Sequence, residues 1–305
     1  MLRNIYILLI FTLVTSCQNK DKSHESIQIL FVGDILLDRD VKERIEHLGA
    51  DALFHSSIDS IFSECDYVVA NLECPATKIK EPINKKYIFR AEPELLNVLK
   101  AHGITHLNIA NNHSMDQGRS GLRDTYRNIL KNGMIPLGYG ENIEQSCKPV
   151  LIASDPRKVF ILSSLQVPSE NWTYLDNSPC VCEESFESIS TQISSLKKNE
   201  PNSIVIVQLH WGVEHTQTPL VSQKQQAYSL IDSGADCIIG HHTHTIQKIE
   251  HYKGKPIYYS IGNFIFDQSK SINSEGLMVK LTITSNDIKS NTTRFHIEKC
   301  SPMIE

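Results

Sequence analysis

The stretch IVIVQLHWG, from Ile204 to Gly212, decides the fold. Ile204–Leu209 is a short apolar run without polar alternation, the pattern of a strand covered on both of its faces. Such a strand needs a packing layer on each side. It stops at His210-Trp211-Gly212, so an imidazole stands at its carboxyl end. Val159–Leu162 has the same character upstream.

Outward from this run, strand-like and helix-like segments alternate. Ile27–Val32 reads as a strand, and Ile58–Phe62 belongs to a helix that precedes a strand at Asp66–Ala70. Pro93–Ala101 sets Leu95, Leu96 and Leu99 on one helical side and leads into Ile104–Ile109, with a further helix at Leu122–Leu130. A polar helix over about 183–198 and a Gln-rich one near Ser222–Ile231 separate the later strands, including Asp236–Ile239. The chain then turns to β character at Ile246–Tyr252, a Lys253-Gly254-Lys255 turn, Pro256–Ser260, Gly276–Thr284 and Thr293–Glu298. This order predicts an α/β fold, with helices outside a mostly buried sheet system and an antiparallel tail. No repeat or low-complexity linker divides it, so one domain is expected over 27–300.

Composition sets the limits around this core. The 305 residues are 40% hydrophobic and 21% charged, which excludes a wholly disordered chain, and 14 Gly with 12 Pro exclude a collagen-like one. A net charge of −5 offers no electrostatic reason to expect nucleic acid as a partner. Two counts stand out, 13 His and 8 Cys.

The first residues address the compartment. MLRNIYILLIFTLVTSC (1–17) carries an early Arg3, an apolar run and a terminal Val14-Thr15-Ser16-Cys17. The run is shorter than the roughly 20 residues that span a bilayer, and its layout is that of a secretory signal peptide. Its end resembles a bacterial lipoprotein box, which makes Cys17 the expected lipidated N-terminus, attached to membrane lipid outside the cytoplasm, with 18–26 as a solvated tether. The remaining seven cysteines form no CxxC pair; export allows disulfides among them, an odd count leaves at least one thiol over, and most are expected to be small buried residues.

In α/β sheets, ligands bind in the crevice beyond the carboxyl ends of the strands. Those ends read Gly33-Asp34, Asn71-Leu72-Glu73, Ala110-Asn111-Asn112-His113, His210-Trp211-Gly212 and Gly240-His241-His242-Thr243-His244. Singly, Asp34 would cap a helix, Glu73 would be a loop carboxylate, and His210 a hydrogen-bonded core histidine. Jointly they predict a metal site. His242 and His244 would point the same way from an extended segment, and carboxylates, amide and imidazoles without sulfur suit a hard-to-intermediate divalent ion. A pair of ions needs a bridging carboxylate and separate terminal ligands, which this set can supply. Arg39 is a candidate for an anionic substrate group and Asn263 for the wall of the same crevice.

These blocks, with Phe31-Val32-Gly33-Asp34, Asp116, Gly118, Glu214 and Ser260-Ile261-Gly262-Asn263-Phe264, resemble the CapA/PgsA family. That is the capsule-synthesis, poly-γ-glutamate-associated branch of the calcineurin-like metallophosphoesterases. The resemblance implies a four-layer α/β sandwich of the metallo-dependent phosphatase type, with one or two divalent ions (Mn, Fe or Zn). It implies Asp34 and His244 on the first metal, Glu73 bridging, Asn112, His210 and His242 on the second, and His113 as general acid. The superfamily's usual Asp-x-His is here Asp34-Ile35-Leu36, and its Gly-Asp-x-x-Asp or Asn is replaced by Asn71-Leu72-Glu73. Two functions follow as expectations: a surface-anchored metal-dependent hydrolase acting on an anionic polymer or small-molecule fragment, or a non-catalytic polymer-binding assembly factor with a degenerate metal site.

Overall fold

A computed structural model describes residues 25–168, 170–268 and 270–304; the expected signal peptide, Cys17 and nearly all of the tether lie outside them. From the amino end come β1 (Ser26–Ile35), α1 (Arg39–Leu48), α2 (Ser56–Ser63), β2 (Tyr67–Leu72), α3 (Leu96–Ala101), β3 (His106–Asn108), α4 (Gly118–Lys131) and β4 (Ile135–Leu137). Next are β5 (Tyr139–Gly140), α5 (Ile143–Ser146), β6 (Val150–Ala153), β7 (Val159–Leu165), β8 (Cys180–Val181), α6 (Phe186–Asn199), β9 (Ile204–His210), α7 (Val221–Asp232) and β10 (Cys237–His241). The last strands are β11 (Ile249–Tyr252), β12 (Lys255–Tyr258), β13 (Asn263–Ile265), β14 (Glu275–Thr284), β15 (Ile288–Glu298) and β16 (Ser301–Met303).

Two large sheets result. The first runs β16-β15-β14-β1-β2-β3-β4, with β13 beside the end of β1, and the second runs β11-β12-β10-β9-β7-β6. Strands β1 to β4 are parallel, as are β12, β10, β9 and β7. Antiparallel strands stand at the edges, with β14 to β16 as the expected tail.

Side-chain alternation explains the layering. In β1, Ile29 and Phe31 enter a core shared with Ile204 and Ile206 of β9, while Leu30 and Val32 enter one shared with Ile58 of α2 and Leu122 of α4. In β9, Val205, Val207 and Leu209 face the opposite way, onto Ile193 of α6 and Leu230 of α7. The apolar runs are unbroken because each strand is covered on both faces. Helices, sheet, sheet and helices therefore make four layers. Helix α6 begins where the sequence dictates, with the Ser185 side chain capping Ser188 N and Lys197 and Lys198 in its last turn.

Some elements differ from the sequence reading. Strand β15 starts at Ile288, five residues before the expected Thr293, because it pairs with β14 from Ile283 onward. The expected Ile246–Tyr252 strand begins at Ile249, while Ile246 makes only an isolated bridge to Ile261. Two of the seven cysteines are joined: Cys147 and Cys182 form a disulfide between the end of α5 and the end of β8, whereas Cys65, Cys74, Cys180, Cys237 and Cys300 are free. Spacing could not disclose that pair, because its partners meet only when β8 pairs with β5. No helix among the described residues is long and apolar enough to cross a membrane.

Candidate metal centre

Asp34 stands near the end of β1, in register with Asn71 of β2, and Glu73 follows β2 directly. The approach of neighbouring backbone at this point requires glycine: a Cβ on Gly33 would lie 2.0 Å from Gly262 O, and one on Gly240 would lie 1.9 Å from Tyr259 O. The two sheets thus bring their strand ends to one crevice, with β9 supplying His210 and the turn after β10 supplying His242 and His244.

Asp34, Glu73 and His244 form the first cluster. Each is buried and offers an atom within 4.8 Å of the others. His244 Nδ1 lies 3.3 Å from Asp34 Oδ2, and its Nε2 lies 3.4 Å from Glu73 Oε1. Both carboxylate oxygens are buried without a hydrogen-bond partner. Burial raises Glu73 well above the ordinary carboxylate range. At Asp34 burial pulls the same way, but His241, hydrogen-bonded to Oδ1 at 3.1 Å, and the imidazole of His244 beside Oδ2 hold it well below that range. Burial also opposes charge on His244, yet Glu73 and Asp34 push it up to about 9. Two unpartnered buried oxygens beside an imidazole demand positive charge, and a divalent cation with mixed oxygen and nitrogen ligands fits them.

Asn112, His210 and His242 form the second. His210 Nε2 lies 2.9 Å from Asn112 Oδ1 and 3.1 Å from His242 Nδ1. Burial lowers His210 well below the ordinary histidine range and His242 to about 3, so both rings are neutral, the form that ligates metal. The sequence argument for this pair needs correcting. The segment is not extended: His242 and His244 have φ of 89° and 57°, in the left-handed region. The chain turns there, and the two rings, 6.3 Å apart between centroids, face different clusters rather than one side of a strand.

His113 is buried, its ring stacked on Phe89 at 4.1 Å, with Nδ1 2.7 Å from Asp116 Oδ2. Burial lowers its pKa against the pull of Asp116. Lys85 closes the group, donating to Asn112 O at 2.6 Å and to Asp116 Oδ1 at 3.1 Å. A cavity of about 460 Å³ is lined by His113, His244, Arg39, Phe89, Glu214 and Phe266 among others.

Of the two substrate candidates, Arg39 reaches this cavity. Its guanidinium lies 4.8 Å from the Phe89 ring centre and 5.8 Å from that of Phe266, and it pairs with Asp267. Asn263 is fully buried behind His244 and is not among the cavity's lining residues. Its Oδ1 is 2.9 Å from His244 Nδ1, and its amide donates to Asn273 O at 3.2 Å and Gln268 Oε1 at 3.1 Å. Leu36 is buried and apolar, so it adds no ligand to the first cluster.

Sequence reasoning gave no role to Asn71, Lys85, Asp116 or His241. Asn71 belongs to the block read as ending the second strand, and the structure places it inside β2 as a buried amide. Lys85 lies in a long irregular connection where nothing in the sequence distinguishes it from a solvated lysine, yet its side chain is 2% exposed.

Known proteins resemble the chain in sequence and in fold. The chain is 34% identical to the PGA biosynthesis protein CapA of Bacillus subtilis over 91% of its length, spanning 72% of that protein. It is 30% identical to the capsule biosynthesis protein CapA of Bacillus anthracis over 88% of its length and 66% of the relative's. Among solved structures, it is similar to the NAD nucleotidase NadN of Haemophilus influenzae, with a TM-score of 0.53 and 12% identity over 89% of this chain and 56% of that one. That likeness is one of fold, and the fold is the four-layer α/β sandwich of metallophosphoesterase type that the family resemblance implied. The family model described as bacterial capsule synthesis protein PGA_cap matches residues 28–268, and the chain belongs to that family.

Proposed function

We propose that the chain is a metal-dependent hydrolase of the bacterial cell envelope. In this reading it is anchored by lipid at Cys17 and acts on an anionic polymer of poly-γ-glutamate type, or on a phosphorylated or amide-linked fragment of one, during capsule synthesis. The names of the two Bacillus relatives support the role in capsule and polymer synthesis. One observation carries the hydrolytic part: His113, paired with the buried Asp116, lines the same cavity as His244 of the cation cluster.

Asp34, Glu73 and His244 would hold one divalent ion, and Asn112, His210 and His242 a second; ions so bound would polarise the scissile oxygen and lower the pKa of a water. The protein's own residues do the rest. Asp116 accepts from His113 Nδ1 and fixes the ring with Nε2 left free, and the ring in its protonated form would pass its Nε2 proton to the leaving group, becoming neutral. Phe89 holds the ring in place by stacking, and Arg39, held against Phe89 and Asp267, offers a cation at the cavity wall for an anionic group of the substrate.

The test is a screen of the purified protein with Mn²⁺, Fe²⁺ or Zn²⁺ against phosphomonoesters, phosphodiesters and γ-glutamyl amides. His113→Ala is expected to keep its metal and lose about 10²–10⁴-fold in kcat. A variant with wild-type turnover would remove His113 from the reaction. The second reading, polymer binding without cleavage, is favoured by Leu36 in place of an imidazole. It would be chosen if no bond in the screen is cleaved while polymer still binds.

A further inference from the structure

Beneath the first cluster three buried asparagines stand together: Asn71 on β2, Asn108 opposite it on β3, and Asn111 in the loop that follows. Backbone groups decide which end of each amide is the donor. Ala110 N donates to Asn108 Oδ1 and His113 N to Asn111 Oδ1, both at 3.1 Å. The NH₂ groups of Asn108 and Asn111 therefore point at Asn71 Oδ1, at 3.0 and 3.1 Å. Asn71 must then turn its own NH₂ to the carboxylates, and Nδ2 donates to Asp34 Oδ1 at 2.8 Å and to Glu73 Oε2 at 3.3 Å. His241 Nδ1 lies 3.1 Å from that same Asp34 oxygen. The oxygens left over, Asp34 Oδ2 and Glu73 Oε1, are the two that lack a hydrogen-bond partner and face His244.

We propose that Asn71 is the positioning residue of the divalent-cation site, occupying one oxygen of each carboxylate so that the other is presented to the ion. The inference rests on reading Asp34, Glu73 and His244 as that site. An amide suits the task because it accepts from two neighbours and donates to two carboxylates without adding charge, and all four of its hydrogen bonds are made. The same network joins the ion to the proton-transfer group: Asn111 also donates to Leu72 O at 2.8 Å and fixes the backbone of His113.

The test is Mn²⁺ binding to the folded protein, followed calorimetrically and by electron paramagnetic resonance. Binding lost in Glu73→Gln is assigned to the first cluster, and binding that survives to the second. Asn71→Leu, nearly isosteric but without donors, is expected to weaken the first class about 10–100-fold and leave the second unchanged. Wild-type affinity in Asn71→Leu overturns the proposal, as does equal weakening of both classes, which would mark a merely structural role. If Asn71→Leu does not fold, Asn71→Ser takes its place with the same expected loss and the same overturning result. Mn²⁺ binding untouched by Glu73→Gln and by Asp34→Asn would instead remove the cation-site reading, a different failure.

Discussion

At the residue scale, the least anticipated group is Lys85. Its ammonium is almost fully buried, and what keeps it there is a set of acceptors contributed by a different loop, Asn112 O and Asp116 Oδ1. Asp116 in turn receives Phe89 N at 2.8 Å, so one carboxylate fastens the connection before α3 to the loop bearing Asn112 and His113. Removing one partner of a buried ion pair leaves the other charge desolvated. Lys85→Met is therefore expected to destabilise the fold by about 3–5 kcal/mol, read as a lowered denaturation midpoint. A change below about 0.5 kcal/mol would show that water reaches Asp116 in its place. The sequence names the residue types of this group but not the encounter between positions 85 and 116, which depends on the path of an irregular loop.

At the element scale, β3 carries an instructive mismatch. It is only three residues long, yet it holds the fully buried His106, whose Nδ1 is 2.8 Å from Thr105 Oγ1 and whose Nε2 has no partner. Burial is the main reason its pKa falls to about 4, with a smaller push from Lys100. The folded chain thus resists a proton that the unfolded chain accepts near 6.5. Stability from this group is fully present above about 6.5 and is lost as pH falls toward about 4, by on the order of 3 kcal/mol. His106→Gln, which cannot titrate, is expected to flatten that part of the stability–pH curve in chelator-treated protein. An unchanged slope between pH 6.5 and 4 would assign the acid lability elsewhere. His106 falls inside the Ile104–Ile109 run of the sequence and is buried there. Elements with long apolar runs were legible. The edge strand β11 and the penultimate strand β15 were less so, because their bounds depend on which neighbour they pair with.

At the scale of the whole molecule, the two sheets contribute different halves of the site. Asp34 and Glu73 come from the β1–β2 sheet, while His210, His242 and His244 come from the sheet containing β9 and β10. An ion held by both halves would tie the sheets together and bind only the folded state. Mn²⁺ at about 100 times its dissociation constant is expected to add about 2.7 kcal/mol of stability, seen as a concentration-dependent rise in Tm. A Tm indifferent to Mn²⁺ would count against ligands drawn from both sheets. The sequence by itself determined the layers and the inventory of the site, because runs of apolar residues and the polar residues that end them are local facts set by burial and strand period. Tertiary structure alone decided which oxygen of Asp34 and Glu73 is left free, that the chain turns through the left-handed region at His242 and His244, that Asn263 lies behind His244, that Cys147 meets Cys182, and that Lys85 is buried. Each of these depends on groups far apart in the chain arriving at one place, and hydrogen-bond direction and desolvation exist only once they have.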